Sequence, residues 1–83
     1  MASQHSAEVA RRATEIYESR LRRKLEETHL HRFVAVEPDS GEHFLGDTLS
    51  DGIQSARNAH PDRISFALRV GHPAAVSLGV MST

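Results

Sequence analysis

The chain has 83 residues, one small domain's worth, and a domain of this size removes only about 60–65% of its unfolded surface from water, so self-association or one protein partner is expected to add stability. Lys and Arg total 10 against 11 Asp and Glu, a net charge of −1, which lacks the basic excess of a general phosphate-binding surface. The absence of Cys excludes a disulfide framework and a thiolate site. The opening MASQHSAEVARR has no apolar core, and no run approaches the roughly 18 apolar residues of a membrane span, so a cytoplasmic protein free of membrane contact is expected.

Residues 1–5 read as a disordered tail and residues 6–28 as a leading amphipathic helix, rich in Ala, Glu, Arg and Leu and free of Gly and Pro. Ser6 is the expected N-cap, with Glu8 in the positive first turn. Val9, Ala10, Ala13, Ile16, Tyr17, Leu21 and Leu25 cover about half of the helix circumference, wider than packing on one sheet requires, which invites a second partner surface. Glu8 with Arg12 and Glu18 with Arg22 are i,i+4 pairs in the favourable order.

A core of ββαββ form is expected over residues 32–80. Strands over 32–37 and 42–46 flank Pro38-Asp39-Ser40-Gly41, where Pro presets φ, Asp and Ser close local hydrogen bonds and Gly accepts positive φ. If Glu37 opposes Glu42, Val34 faces Leu45 and Val36 faces His43 on one side, while Ala35 meets Phe44 and Phe33 meets Gly46 on the other. Both faces are then largely apolar, and both are expected to be covered. Thr48 reads as the cap of a second helix over 49–58, with Asp51 completing a capping-box variant. His60-Pro61-Asp62 ends it, and Ile64, Phe66, Leu68 and Val70 alternate with polar or small residues as a strand. Ala74, Val76, Leu78 and Val80 suggest a fourth strand after the Gly71-His72-Pro73 turn. The fold class is α+β, in the order α-β-β-α-β-β, with a small, mainly antiparallel sheet covered by helices and a strand order of 2-1-3-4.

The string FVAVEPDSGEHFLGDTL, an amphipathic helix, HPD and a strand ending in RVG together resemble a family of short bacterial and archaeal proteins with an (F/W)VAI…SG…GDTL…A…HPD…RVG core. The shared residues are hairpin and cap residues, so the resemblance speaks to fold. Some relatives lie beside genes for retropepsin-like proteins, which implies a two-gene system. Gly46-Asp47-Thr48-Leu49 is also similar, more loosely, to the helix entry of HicB-type antitoxin domains. Those domains begin with a strand and append a DNA-binding segment, whereas this chain leads with a helix and has no room after Val70 for such a segment.

Six His in the chain raise the question of metal. His29, His31 and His43 could meet only if the hairpin register allowed it, and the register above keeps His43 two or more pairs from His31, so no metal site and no cofactor are expected. No serine lies in a strained elbow such as G-x-S-x-G. Asp39 with Glu42 and Asp47 with Asp51 read as turn closure and helix capping, and no catalytic residue is assigned. His72, with Arg69 as its neighbour, is the cleft candidate. The glycines stand singly at turns or inside a helix and form no phosphate loop. RLRRK, Arg20 to Lys24, is interleaved with Glu and lacks stacking aromatics, so nucleic acid is not an expected partner.

The favoured function is a non-enzymatic protein-interaction module, either a homodimer or a small antitoxin-like subunit of a two-gene bacterial system. Its expected interface is Val9, Ala13, Ile16, Tyr17, Leu21 and Leu25 with one hairpin face, and the same residues could equally form the intramolecular core. The alternatives are a nucleic-acid-associated regulator using Arg11, Arg12, Arg20, Arg22, Arg23 and Lys24, and a small enzyme with a His-containing site between subunits.

Overall fold

Apolar residues four apart dictate the first element. In a computed structural model, which describes the backbone of residues 2–78 and the side chains of residues 7–72, one helical run comprises α1 (Ala2–Ile16), a π-helical segment (Tyr17–Leu21) and α2 (Arg22–Thr28). The helix starts earlier than the tail and Ser6 cap read from the sequence. Ala2 and Gln4 are good helix formers, nothing before Ser6 breaks the backbone, and Ser inside a helix costs only about 0.5 kcal/mol. The π-helical segment explains the wide apolar stripe. On an α-helix of 3.6 residues per turn each four-residue step from Val9 to Ala13 to Tyr17 drifts by about 40°. The wider π turn rotates back, so Leu25 returns to the side of Val9 and both are buried, each 4% exposed.

β1 (Phe33–Glu37) and β2 (Glu42–Gly46) form the hairpin, with Glu37 opposite Glu42, Val34 opposite Leu45 and Val36 opposite His43. This register is the one read from the turn. Gly41 takes φ 77°, the left-handed conformation that a glycine adopts without steric cost. α3 (Leu49–Ala59) follows, capped by Thr48, whose hydroxyl accepts the Asp51 N–H at 3.1 Å. β3 (Phe66–Arg69) and β4 (His72–Leu78) complete the sheet; the reading of strand to Val80 extends outside the described residues. The fold is α+β, and the four strands lie side by side in the order β2-β1-β3-β4, each pairing antiparallel.

Each face of the sheet has its own cover. On one, Val9, Ala13, Tyr17 and Leu25 of the helical run pack with Val34, Val36, Phe66, Leu68 and Val70. On the other, α3 lays Ala56 against Ala35 and Ala67, with Phe44, Leu49 and Ile53 around them. The small residues let α3 approach closely. A Cβ on Gly46 would stand 2.4 Å from the Gly52 backbone nitrogen, so only glycine fits there.

Candidate functional site

Two tight turns meet at one end of the sheet. The first follows α2, where His31 adopts φ 74°, a left-handed conformation costly for a residue with a Cβ. Backbone bonds hold it there: His31 N–H donates to Val70 O at 3.0 Å and Val70 N–H donates to Arg32 O at 2.8 Å. Arg69 Nε also donates to the His31 carbonyl at 3.0 Å. The second turn joins β3 to β4. It contains Gly71 at φ 83° and follows a register irregularity between Leu68 and Arg69, the kind of device that redirects side chains at a sheet end.

His31 and His72 project from these turns onto each other, with Nδ1 of His31 2.7 Å from Nε2 of His72. The ring centroids are 4.9 Å apart, which leaves about one ring radius beyond each facing nitrogen. The two nitrogens therefore lie nearly on the line between the rings, in a head-to-head hydrogen bond. One nitrogen donates and the other accepts, according to the tautomer, so the pair does not present two lone pairs converging on a third point, as the ligands of a tetrahedral metal do. Arg69 lies over the Phe33 ring, 5.3 Å from its centroid, within cation–π range.

A narrow cleft runs from these turns to the helical run, lined by Tyr17, Glu18, Arg22 and Glu26 on one wall and by Leu68, Arg69, Gly71 and His72 on the other. Its enclosed part is about 60 Å³, room for one or two waters. Arg22 is clamped between Glu18 at 2.8 Å and Glu26 at 3.1 Å; those carboxylates push its pKa up and keep it charged. Burial raises the Tyr17 hydroxyl above its ordinary value, the Gly71 backbone opposes the shift, and Glu26 and Glu18 add to it. Tyr17 is thus a neutral hydrogen-bonding group at neutral pH.

Of the two readings of the apolar stripe, interface or intramolecular core, burial favours the core. Val9, Ala13, Tyr17 and Leu25 are 0–5% exposed within one chain, and Ile16 and Leu21 pack half-buried against them. They form the intramolecular core, because the π turn aims the whole stripe at the sheet. The six basic residues of the nucleic-acid alternative divide into two groups. Arg11 pairs with Glu8 and Glu15, Arg12 with Asp39, and Arg22 with Glu18 and Glu26. The expected Glu8–Arg12 pair gives way because Arg12 reaches the hairpin turn. Arg20, Arg23 and Lys24 are exposed and make no ion pair among the described residues.

His29, His31 and His43 are not brought together: His29 bonds Thr28, His31 bonds His72, and His43 sits opposite Val36. Among the described residues no group of three or more His, Asp or Glu is placed to hold a metal. The carboxylate pairs also separate into structural contacts, Asp39 with Arg12 and Arg63, Glu42 with His60, and Asp47 with Arg32. His72 and Arg69 do line a cleft. The partner of His72, His31, lies 41 residues away in sequence, and no local spacing announces it. Among the described residues no helix is long and apolar enough to cross a membrane. Comparison of the chain with protein-family models, with curated proteins and with solved structures finds no match.

Proposed function

We propose that the chain is a non-enzymatic protein-interaction module, a homodimer or a small antitoxin-like subunit of a two-gene system, and that its contact surface is the open edge of β2. The observation that carries this reading is the position of β2 at the end of the β2-β1-β3-β4 order. Gly41 N–H donates to Glu37 O at 2.9 Å, so Glu37 turns its backbone groups toward β2. In an antiparallel ladder the orientation alternates. Glu42, Phe44 and Gly46 thus face β1, and the N–H and C=O groups of His43 and Leu45 face outward.

An unpaired edge of this kind is a template for an extended segment of another chain. The two faces of the sheet are occupied by the chain's own helices, which leaves an edge as the place where a partner gains hydrogen bonds without displacing core, and β2 is one of the two edge strands, β4 being the other. The small enclosed volume of the cleft supports recognition at a surface over conversion of a substrate inside one chain. The family resemblance is in keeping with a subunit that works beside a second protein. The nucleic-acid reading has less support, since Arg11, Arg12 and Arg22 are engaged by carboxylates and only Arg20, Arg23 and Lys24 of its six cations stay without an ion pair among the described residues.

The test is His43→Pro. Proline removes an outward N–H and leaves the internal ladder intact, so the fold survives on an edge strand. Light scattering on the purified chain, and co-purification from the source cells, should show a dimer or a fixed-stoichiometry complex that this variant weakens by about tenfold or more. A complex that His43→Pro leaves at full strength rejects the β2 edge.

A further inference from the structure

We infer that the His31–His72 pair is a proton-operated clasp, closed while the two rings share one proton and open when both are protonated, and that its opening frees the β3–β4 turn from the turn after α2. A neutral imidazole offers one donor and one acceptor nitrogen, and an imidazolium offers two donors. Nitrogens facing each other at 2.7 Å along the line of the rings accommodate one N–H between them. With both rings protonated, two N–H groups and two positive charges point at one another, and no acceptor remains.

The surroundings do not compensate a second proton. From β3, Arg69 brings a cation bonded to the His31 carbonyl at 3.0 Å. From the turn after α2, Arg32 is paired with Asp47 and His29 with Thr28. Across the cleft stand the neutral Tyr17 and the trio Glu18, Arg22 and Glu26, whose carboxylates are both bound to Arg22. Among the described residues no carboxylate makes an ion pair with either imidazole, and Arg69 on one side and the Arg22-bound Glu18 and Glu26 on the other offer no acceptor to a second N–H.

Release has a defined structural consequence. The clasp is one of the contacts tying the two turns, beside His31 N–H to Val70 O and Val70 N–H to Arg32 O. His31 holds its left-handed backbone against steric preference, whereas Gly71 takes φ 83° without that cost. Once the rings part, the wall of the cleft made by Gly71 and His72 can swing from Tyr17. Histidine protonation acting on a poised contact is a general form of pH response.

Long-range proton–nitrogen spectra of the imidazoles, with exchange rates of the His31 and Val70 amides corrected for intrinsic pH dependence, test this between about pH 8 and pH 5, where imidazole changes charge. At the upper end the facing nitrogens should be one protonated and one bare, and both amides protected. At the lower end both nitrogens should be protonated, and protection of these two amides should fall by about tenfold or more while β1 amides at the sheet centre keep theirs. In His72→Gln, which cannot take the second proton, that acid-dependent loss should vanish. The inference is overturned if the facing nitrogens of the wild-type chain titrate independently, if amide protection is unchanged in acid, or if His72→Gln shows the same loss. Should the variant not fold, the wild-type spectra decide alone.

Discussion

Glu37 shows how a single residue can fix a turn. It is 1% exposed, and its carboxylate accepts the backbone N–H of Asp39 at 2.9 Å and of Ser40 at 2.8 Å, with Arg63 at 3.4 Å. Burial alone would raise its pKa, but the Ser40 and Asp39 bonds and the Arg63 charge outweigh burial and hold the carboxyl below its ordinary value. A pKa lowered by folding stabilises the folded state above the ordinary carboxylate range, and that contribution is lost as pH falls through the folded value. Glu37→Ala leaves the Asp39 and Ser40 amides without their acceptor and should cost about 1–3 kcal/mol in urea unfolding at neutral pH. Glu37→Gln should cost less and should flatten the acid limb: between about pH 5 and pH 3 the wild-type midpoint falls more steeply than the variant's. Equal acid limbs would show that other carboxyls govern it. The turn itself was legible in Pro38, Asp39, Ser40 and Gly41, because each carries a local backbone preference. The inward turn of Glu37 was not, since a Glu at a strand end reads as solvated until Arg63 and the turn amides are seen around it.

At the scale of elements, α3 and the helical run illustrate opposite limits of sequence reading. Thr48 and Asp51 mark the start of α3 because capping is local chemistry. Its close docking depends on Gly46 and Gly52, residues on two elements whose contact no spacing reveals. Their environments differ and predict opposite outcomes. A Cβ on Gly46 would lie 2.4 Å from the Gly52 nitrogen and 2.9 Å from the Asp51 backbone, so Gly46→Ala forces α3 off the sheet and should cost about 1–3 kcal/mol. A Cβ on Gly52 would meet Phe44 O at 3.5 Å and Ala35 at 3.7 Å or beyond, ordinary contacts. Gly52→Ala inside a helix should therefore be neutral or stabilising by up to about 1 kcal/mol. Thermal unfolding of the two variants side by side checks the contrast, and a stabilised Gly46→Ala would mean that α3 is not seated on the hairpin in this way. In the helical run, the half-circumference stripe was visible in Val9 to Leu25. Its resolution by a π turn was not, because four-residue spacing fits either a second partner or a locally widened helix, and only the positions of Tyr17 and Leu25 against the sheet choose between them.

For the whole molecule, the hairpin already carried the decisive hint, since Val34, Val36 and Leu45 on one face and Ala35 and Phe44 on the other require two covers. The structure supplies both from the chain itself, α3 over the small residues and the long helical run over the large ones. The sheet and α3 therefore draw one of their two covers from the helical run. Without residues 1–29, the side chains of Val34, Val36, Phe66, Leu68 and Val70, all 0–6% exposed in the intact chain, would face water on an uncovered sheet. At about 1.5–3 kcal/mol for each large apolar side chain buried, these five represent about 8–15 kcal/mol, comparable to the whole stability of a small domain at about 5–15 kcal/mol. A fragment beginning at Leu30 should consequently lack cooperative thermal unfolding and should bind a hydrophobic dye. Adding residues 1–29 back as a separate peptide should restore a cooperative transition, because Val9, Ala13, Tyr17 and Leu25 then rebuild the missing layer. A fragment that unfolds cooperatively on its own would show instead that α3 and the sheet suffice, and that the long helix is an accessory free to serve as the contact surface after all.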